Sequence, residues 1–200
     1  KIMTIERLVL GPMGANCYLI GDKERVIIID PADDAQGIFA NIRGRKVEYI
    51  LLTHTHVDHI SALTEVKEEY PNAILGVHHE EVSYLSNPDK NLSQFLGNPV
   101  VYTKTPELKL THQQTIPFLD TEIQVIHTPG HTPGGCCFLI KDNLFSGDTL
   151  FQMSIGRTDF PGGAYTQIIN SIKERLLILP SDTKIFPGHM GESTIEAEKK

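Results

Sequence analysis

The chain has 200 residues, of which 40% are hydrophobic and 22% charged, with 16 glycines and 12 prolines. This is the composition of an ordinary globular protein, and it excludes a disordered, collagen-like or coiled-coil chain. The net charge is −7, and because an acidic surface repels phosphate backbones, we expect no nucleic-acid partner.

Short runs typical of β-strands, bounded by Gly, Pro, Asp and Asn, alternate with runs of helical periodicity. The pattern predicts strands over residues 5–10, 16–20, 25–30, 48–53, 73–77, 121–127, 136–140, 143–145 and 184–186. It predicts helices from residue 31 to about 44, over 60–70 and over 165–179. Residues 26–29 are apolar without alternation, which is typical of a strand buried on both faces. Since no repeat or composition shift marks a boundary, we expect a single layered α/β domain over residues 1–200.

The cysteines and the N-terminal segment indicate the cellular compartment in which we expect the protein. Cys17, Cys136 and Cys137 cannot form a disulfide framework, because two are adjacent and one is left over. All three lie in apolar β-type runs, and we interpret them as reduced, buried structural thiols. The N-terminal segment lacks the pattern of a signal peptide, and no apolar run approaches the ~20 residues that span a bilayer. We therefore expect a cytoplasmic protein with no membrane partner.

The nine histidines are unevenly distributed, and five of them fall at predicted strand ends. The densest group, residues 53–59 (THTHVDH), directly follows a predicted buried strand, where open α/β sheets carry their sites. Three later side chains each follow another strand beside a glycine, which lets the backbone approach a shared point closely. Imidazole and carboxylate together suit Zn²⁺, Fe and Mn²⁺. The candidate metal ligands are His54, His56, Asp58, His59, His131, Asp148 and His189.

These motifs, in this order, resemble the signature of the metallo-β-lactamase superfamily over residues 16–189. The resemblance implies an α/β fold of the four-layer αββα sandwich type, with metal ions at the edge of the sheets. It also implies two ligand sets joined by a bridging carboxylate. The first metal ion has His54, His56 and His131 as ligands, the second has Asp58, His59 and His189, and Asp148 bridges both.

Further positions in the sequence indicate which branch of the superfamily the chain resembles. Exported metallo-β-lactamases usually have Cys or Ser where Asp148 stands. The complete aspartate-bridged set is similar to that of glyoxalase II, the hydroxyacylglutathione hydrolases. Residues 154–163 (SIGRTDFPGG) resemble short bacterial glyoxalase II-like hydrolases and also persulfide dioxygenases. Only 11 residues follow His189, so we expect no C-terminal glutathione-binding helical domain. The sequence therefore does not determine whether glutathione is the thiol of the substrate.

The chemistry of such a site favours a hydrolase. Two divalent ions about 3.5–4 Å apart hold one bridging water and lower its pKa towards neutrality. The resulting hydroxide attacks a thioester, and a thiolate with a pKa of about 8.5 leaves without full protonation. We therefore expect a glyoxalase II-like thioesterase acting on a small-molecule thioester, with Asp58 and Asp148 as catalytic residues. Its cofactors are expected to be two divalent metal ions, zinc first and Fe or Mn as alternatives.

Two other functions stay open. The first is a mononuclear Fe(II) persulfide dioxygenase that uses His54, His131 and Asp148 as its ligands. The second is a non-catalytic module whose metal ions only stabilise the fold, although seven ligand candidates beside glycines favour an open, reactive site.

Residues next to the candidate ligands have predicted supporting roles. Asp30 and Thr53 are expected to orient the ligating imidazoles. Arg157 is expected either to bind a substrate carboxylate or to pair with Asp159, and Tyr165 to line the pocket. For the other four histidines, the sequence spacing suggests no partner side chains, and we interpret them as surface or core residues. They are His78, His79, His112 and His127.

Overall fold

A computed structural model describes residues 2–96 and 98–199. These residues group into two compact units. The first unit contains the chain up to Val77 together with Val82–Lys109, and the second contains His78–Glu81 and the chain from Leu110 onward. The expectation of a single domain over residues 1–200 stays a prediction.

The first unit is built on a six-stranded sheet whose strands follow one another in chain order. The strands are β1 (Thr4–Leu10), β2 (Ala15–Gly21), β3 (Arg25–Ile29), β4 (Lys46–Leu51), β5 (Ile74–His78) and β6 (Leu108–Leu110). Strands β1 to β3 form an antiparallel meander, whereas β3, β4 and β5 are parallel. All of residues 26–29 are buried, which confirms the expectation from their unbroken apolar run.

The helices that precede residue 100 are short. They are α1 (Ala35–Ile42), α2 (Val57–Ile60), α3 (Leu63–Glu69), a 3₁₀ helix (His79–Ser86) and α4 (Ser93–Leu96). The predicted helix over 60–70 is therefore wrong in its N-terminal turn, where two helices meet instead. The reason is a backbone bond: the Ala62 N–H donates to the Pro31 carbonyl at 3.1 Å rather than to the preceding helical turn.

The second unit contains a six-stranded sheet in the order β14-β13-β10-β9-β8-β7 and a two-stranded ribbon of β11 and β12. The strands are β7 (Thr115–Phe118), β8 (Thr121–His127), β9 (Cys136–Ile140), β10 (Asn143–Gly147), β11 (Leu150–Phe151), β12 (Ser154–Ile155), β13 (Lys184–Pro187) and β14 (Ser193–Thr194). Helix α5 (Tyr165–Ser171) continues as a π-helical turn (Ile172–Leu176), and α6 (Ile195–Glu198) lies near the C-terminus. The predicted helix over 165–179 ends early, at Leu176; its last turn is wider than an α-helical turn, with the Leu177 N–H donating to the Ile172 carbonyl, and Pro180 follows.

In each unit, the directions of the strands place the candidate ligands of that unit at the carboxyl ends of parallel strands of its own sheet. In the first unit β3 and β4 are parallel, so Asp30 and residues 53–59 follow neighbouring carboxyl ends. In the second unit β10 and β13 are parallel, and β8 has the same direction because β9 is antiparallel to both β8 and β10. His131, Asp148 and His189 come after these three ends. Within the described residues, no helix has the length and apolar character that crossing a bilayer requires.

Candidate metal centre

The first unit gathers its candidate ligands in the segment after β4. The side chains of His54, His56 and His59 are buried, and that of Asp58 is partly buried. The His54 ring lies 5.0 Å from the His56 ring and 4.2 Å from the His59 ring, measured between centroids. The His59 Nε2 atom is 3.6 Å from Asp58 Oδ2. Four candidate ligands thus lie close together within residues 54–59.

Asp30 holds this segment from the end of the neighbouring strand. Its Oδ1 accepts the Thr53 backbone N–H at 2.8 Å, and its Oδ2 accepts the Thr53 hydroxyl at 2.6 Å. The same Oδ2 lies 2.9 Å from His59 Nδ1, and Thr53 Oγ1 lies 3.0 Å from His54 Nδ1. Because a carboxylate only accepts hydrogen bonds, His59 donates from Nδ1. The Thr53 hydroxyl already donates its hydrogen to Asp30, so in its contact with His54 it accepts, and His54 donates from Nδ1 as well. Both imidazoles therefore present Nε2 to a metal ion.

The backbone of Asp30 is itself in the left-handed region, with a φ of 56°. A non-glycine residue there is strained, and such strain persists where the surrounding structure over-determines it. Here three hydrogen bonds to one buried carboxylate compensate for it. The strained backbone directs the carboxylate to the His59 imidazole and to Thr53, whose hydroxyl in turn contacts His54.

We expect Asp30→Asn to lower the affinity for divalent metal ions by about 10- to 100-fold, because an amide has a single acceptor oxygen and its NH2 group would face either the Thr53 backbone N–H or the donors of the Thr53 hydroxyl and His59. Asparagine tolerates a positive φ, so the backbone is preserved. The measurement is a competition titration with a chromogenic chelator. The matched control is Asp34→Asn, since Asp34 also has a positive φ of 47° but caps helix α1 through Gly37. Equal affinities for the two variants would contradict the orienting role.

The second unit brings together the three remaining candidates. His131 Nδ1 lies 2.7 Å from the Arg157 carbonyl oxygen, which fixes Nδ1 as the donor and leaves Nε2 to bind a metal ion. That Nε2 is 3.6 Å from Asp148 Oδ2, while Asp148 Oδ1 is 2.9 Å from His189 Nδ1. The two oxygens of one carboxylate thus face two different histidines.

These distances fit a divalent ion. Two donor atoms about 2.0–2.1 Å from a tetrahedral ion lie about 3.3–3.4 Å from each other. The pairs His59 Nε2–Asp58 Oδ2 and His131 Nε2–Asp148 Oδ2, both at 3.6 Å, are close to that spacing and too long for a good hydrogen bond. The donor set of imidazole and carboxylate matches Zn²⁺, Fe or Mn²⁺.

Arg157 orients His131 through its backbone carbonyl oxygen, which accepts the His131 Nδ1 hydrogen. A pattern of side chains in the sequence could not indicate this role. Its guanidinium makes two hydrogen bonds of 2.7 Å to Asp159 and lies over the Phe160 ring at 4.1 Å. These hydrogen bonds hold the pKa of the Asp159 carboxyl at about 2. Of the two roles expected for Arg157, the structure thus contains the pair with Asp159. Tyr165 begins helix α5 and is 64% exposed.

The four histidines without an expected role form a cluster of their own in the second unit. The His78 and His127 rings are stacked with centroids 4.0 Å apart, and His79 lies 4.3 Å from His78. The His112 Nδ1 accepts the His127 backbone N–H at 3.1 Å. Burial, and then the neighbouring imidazoles, lower the pKa of His78 to about 3. The cluster is therefore neutral at its centre, and Glu80 N–H and the Pro133 carbonyl already engage His78 Nδ1 and His127 Nε2.

The cysteines are buried free thiols, as interpreted from the sequence. Burial raises the pKa of the Cys17 thiol far above its usual range and that of Cys137 to about 12. A thiol with such a pKa is protonated at neutral pH and does not act as a nucleophile.

Comparisons with known proteins give the family and the fold that this chain resembles. The model of the metallo-beta-lactamase superfamily matches residues 10–189. A Haemophilus influenzae protein named hydroxyacylglutathione hydrolase GloC is 35% identical over 204 residues, which cover 99% of this chain and 96% of that protein. The crystal structure of the B3 metallo-beta-lactamase BLEG-1 has a TM-score of 0.91 at 35% identity, covering 98% of this chain and 96% of that one. A di-iron-bound form of TTHA1623 has a TM-score of 0.86 at 31% identity, with 98% and 97% covered. The expected fold is thereby confirmed.

Proposed function

The chain belongs to the metallo-β-lactamase superfamily and is a metal-dependent hydrolase, and from this premise we propose that it hydrolyses small-molecule thioesters with two divalent metal ions. Zinc is the first candidate, and iron is the second because the relative TTHA1623 has a di-iron-bound form. The GloC relative supports a thioester as substrate, since its name specifies the hydrolysis of an acylated thiol.

The observation that carries the proposal is the position of Asp148. Its Oδ2 lies at ligand spacing from His131 Nε2, and its Oδ1 lies beside His189. A carboxylate that offers one oxygen to each of two histidine ligands is suited to bridging two ions. In the proposal His54, His56 and His131 would hold the first ion, Asp58, His59 and His189 would hold the second, and Asp148 would serve both.

The bound ions supply a lowered pKa for a water molecule and polarisation of the thioester carbonyl. The residues of the chain do the rest. Asp58, whose side chain is 12% exposed, accepts the proton of the attacking water. The water oxygen bonds to the carbonyl carbon, the carbon–sulfur bond breaks, and the sulfur leaves as a thiolate. Since thiols have a pKa of about 8.5, this leaving group needs no general acid.

Metal content and substrate turnover, measured on the same preparation, test the proposal. Elemental analysis after expression in metal-replete medium should give close to two ions per chain. Release of thiol should follow addition of S-lactoylglutathione or a simple acyl thioester, and a chelator should abolish it. A single iron per chain, with oxygen uptake on glutathione persulfide and no thiol release, would refute thioester hydrolysis and establish the dioxygenase alternative.

A further inference from the structure

Helix α2 carries the candidate ligands Asp58 and His59 and has only four residues. A helix this short does not hold its own conformation in water, because too few hydrogen bonds repay the ordering of its first turn. The position of the two ligands therefore depends on the groups of the first unit that bond to the ends of α2.

The start of α2 has no side chain that caps it. Its N-cap residue is the candidate ligand His56, at a position where Ser, Asp or Asn normally accepts a first-turn N–H, and the His56 side chain makes no capping bond. The first N–H of the helix, that of Val57, donates instead to the backbone carbonyl of Asn91 at 2.8 Å. A distant part of the chain thus fixes the start of the helix.

Asn91 is held in the first unit by its own side chain, which is fully buried. Its Nδ2 donates to the Tyr84 carbonyl at 2.9 Å and to the Val100 carbonyl at 3.0 Å, and its Oδ1 accepts the Ser93 backbone N–H at 3.0 Å. The three partners are two acceptors and one donor, which is the set that a side-chain amide satisfies. Because a satisfied buried network is rigid, the Asn91 carbonyl is held in one place.

The other end of α2 is held from the opposite side. The Ala62 N–H donates to the carbonyl of Pro31, which directly follows Asp30. The Asp30 carboxylate acts on the ring of His59. Asn91 acts on the backbone that leads from Val57 into the two ligands.

The proposed function assigns Asp58 and His59 to the second ion, and the residues before α2 to the first. Resting on that function, we propose that Asn91 is a positioning residue for the second metal ion. Its amide holds its carbonyl against the Val57 N–H, and this bond sets where Asp58 and His59 present their ligand atoms, which lie 3.6 Å apart. Loss of the amide then weakens the second ion and leaves the first in place.

Titration of the metal-free protein with Zn²⁺ against a chromogenic chelator resolves the two ions, and elemental analysis after dialysis counts them. Asn91→Ala should lower the affinity for one of the two ions about 10- to 100-fold, the usual effect of removing a partner outside the ligand set. Asn143→Ala is the matched control, because Asn143 is also a buried asparagine but its Nδ2 donates to the Ile140 carbonyl in the second unit. This control should keep both ions.

Val57→Pro tests the same bond from its donor. Proline has no backbone N–H and is favoured at the first position of a helix. His56, with a φ of −64° and a ψ of 146°, already has the extended conformation that a residue before proline adopts. Val57→Pro should weaken the same ion about 10- to 100-fold. Adding Asn91→Ala should weaken it little further, because both changes remove one contact.

Val57→Ala is the matched control for Val57→Pro, since it removes packing but keeps the N–H, and it should bind both ions. Wild-type affinities in Asn91→Ala and Val57→Pro, or equal weakening of both ions, would overturn the positioning role. If Asn91→Ala does not fold, Val57→Pro against Val57→Ala decides the question alone.

The outcomes separate this role from the proposed function. A wild-type protein that binds two ions but releases no thiol from thioesters would refute the proposed function. In that case, selective loss of one ion in the two variants would still support the role of Asn91. A wild-type protein that binds a single ion would refute both.

Discussion

Asparagine in place of Asp148 is expected to lower kcat/KM for thioester hydrolysis about 1,000-fold, which corresponds to about 4 kcal/mol of barrier. The substitution keeps the shape of the side chain but removes its charge and one of its two acceptor oxygens. Asp148 Oδ2 lies 3.6 Å from His131 Nε2 and Oδ1 lies 2.9 Å from His189 Nδ1. An amide cannot serve as a bridging ligand between two cations, so at least one ion should be lost.

The measurement is metal stoichiometry by elemental analysis together with initial rates of thiol release. Asp120→Asn is the matched control, because the Asp120 side chain is 76% exposed and lies 3.7 Å from Lys141 at the surface of the same unit. That control should retain wild-type metal content and rates within about twofold, as surface substitutions usually do. An Asp148→Asn variant that keeps two ions and wild-type activity would show that Asp148 does not bridge.

The candidate ligands could be found from the sequence because each is a chemically distinctive residue in the segment that follows a strand. Residues 53–59 follow β4, which the apolar pattern predicts, and the bounds of β8 and β9 agree with the predicted ones. The ligand type and the strand end are both local features, so a single pass along the chain detects them. Asp30 is also local, since it follows β3 directly, although its contact with His59 spans 29 positions.

Other features of the site depend on contacts that no local pattern encodes. The acceptor for His131 Nδ1 is the backbone carbonyl of Arg157, an atom that every residue carries. The stacking of His78 on His127 joins residues 49 positions apart, from the end of β5 and the end of β8. The short strands β12 and β14 have two residues each and form only because β11 and β13 pair with them. Tertiary context decides such elements, whereas propensity does not.

The backbone around the second-unit ligands depends on a close approach at Gly156. A Cβ on this residue would lie 1.7 Å from the Asp148 carbonyl oxygen and 3.3 Å from the His131 Cβ. The Gly156 N–H also donates to the Thr149 carbonyl at 3.1 Å, so the two chain segments are tied together and cannot separate freely. A glycine is required here because of contact distance, not because of a positive φ.

We therefore expect Gly156→Ala to lower the free energy of unfolding by about 2–3 kcal/mol, the cost of forcing extra volume into a packed region. We also expect metal affinity to fall about 10- to 100-fold, because the displaced backbone carries Asp148 and presses on His131. Urea denaturation of the metal-free protein measures the first effect, and chelator competition measures the second. Gly191→Ala is the matched control, since a Cβ there meets nothing within 4 Å although the residue lies close to His189 in the chain. It should change stability by less than about 0.5 kcal/mol. If Gly156→Ala behaved like Gly191→Ala in both measurements, the strand ends would position their ligands without this close backbone contact.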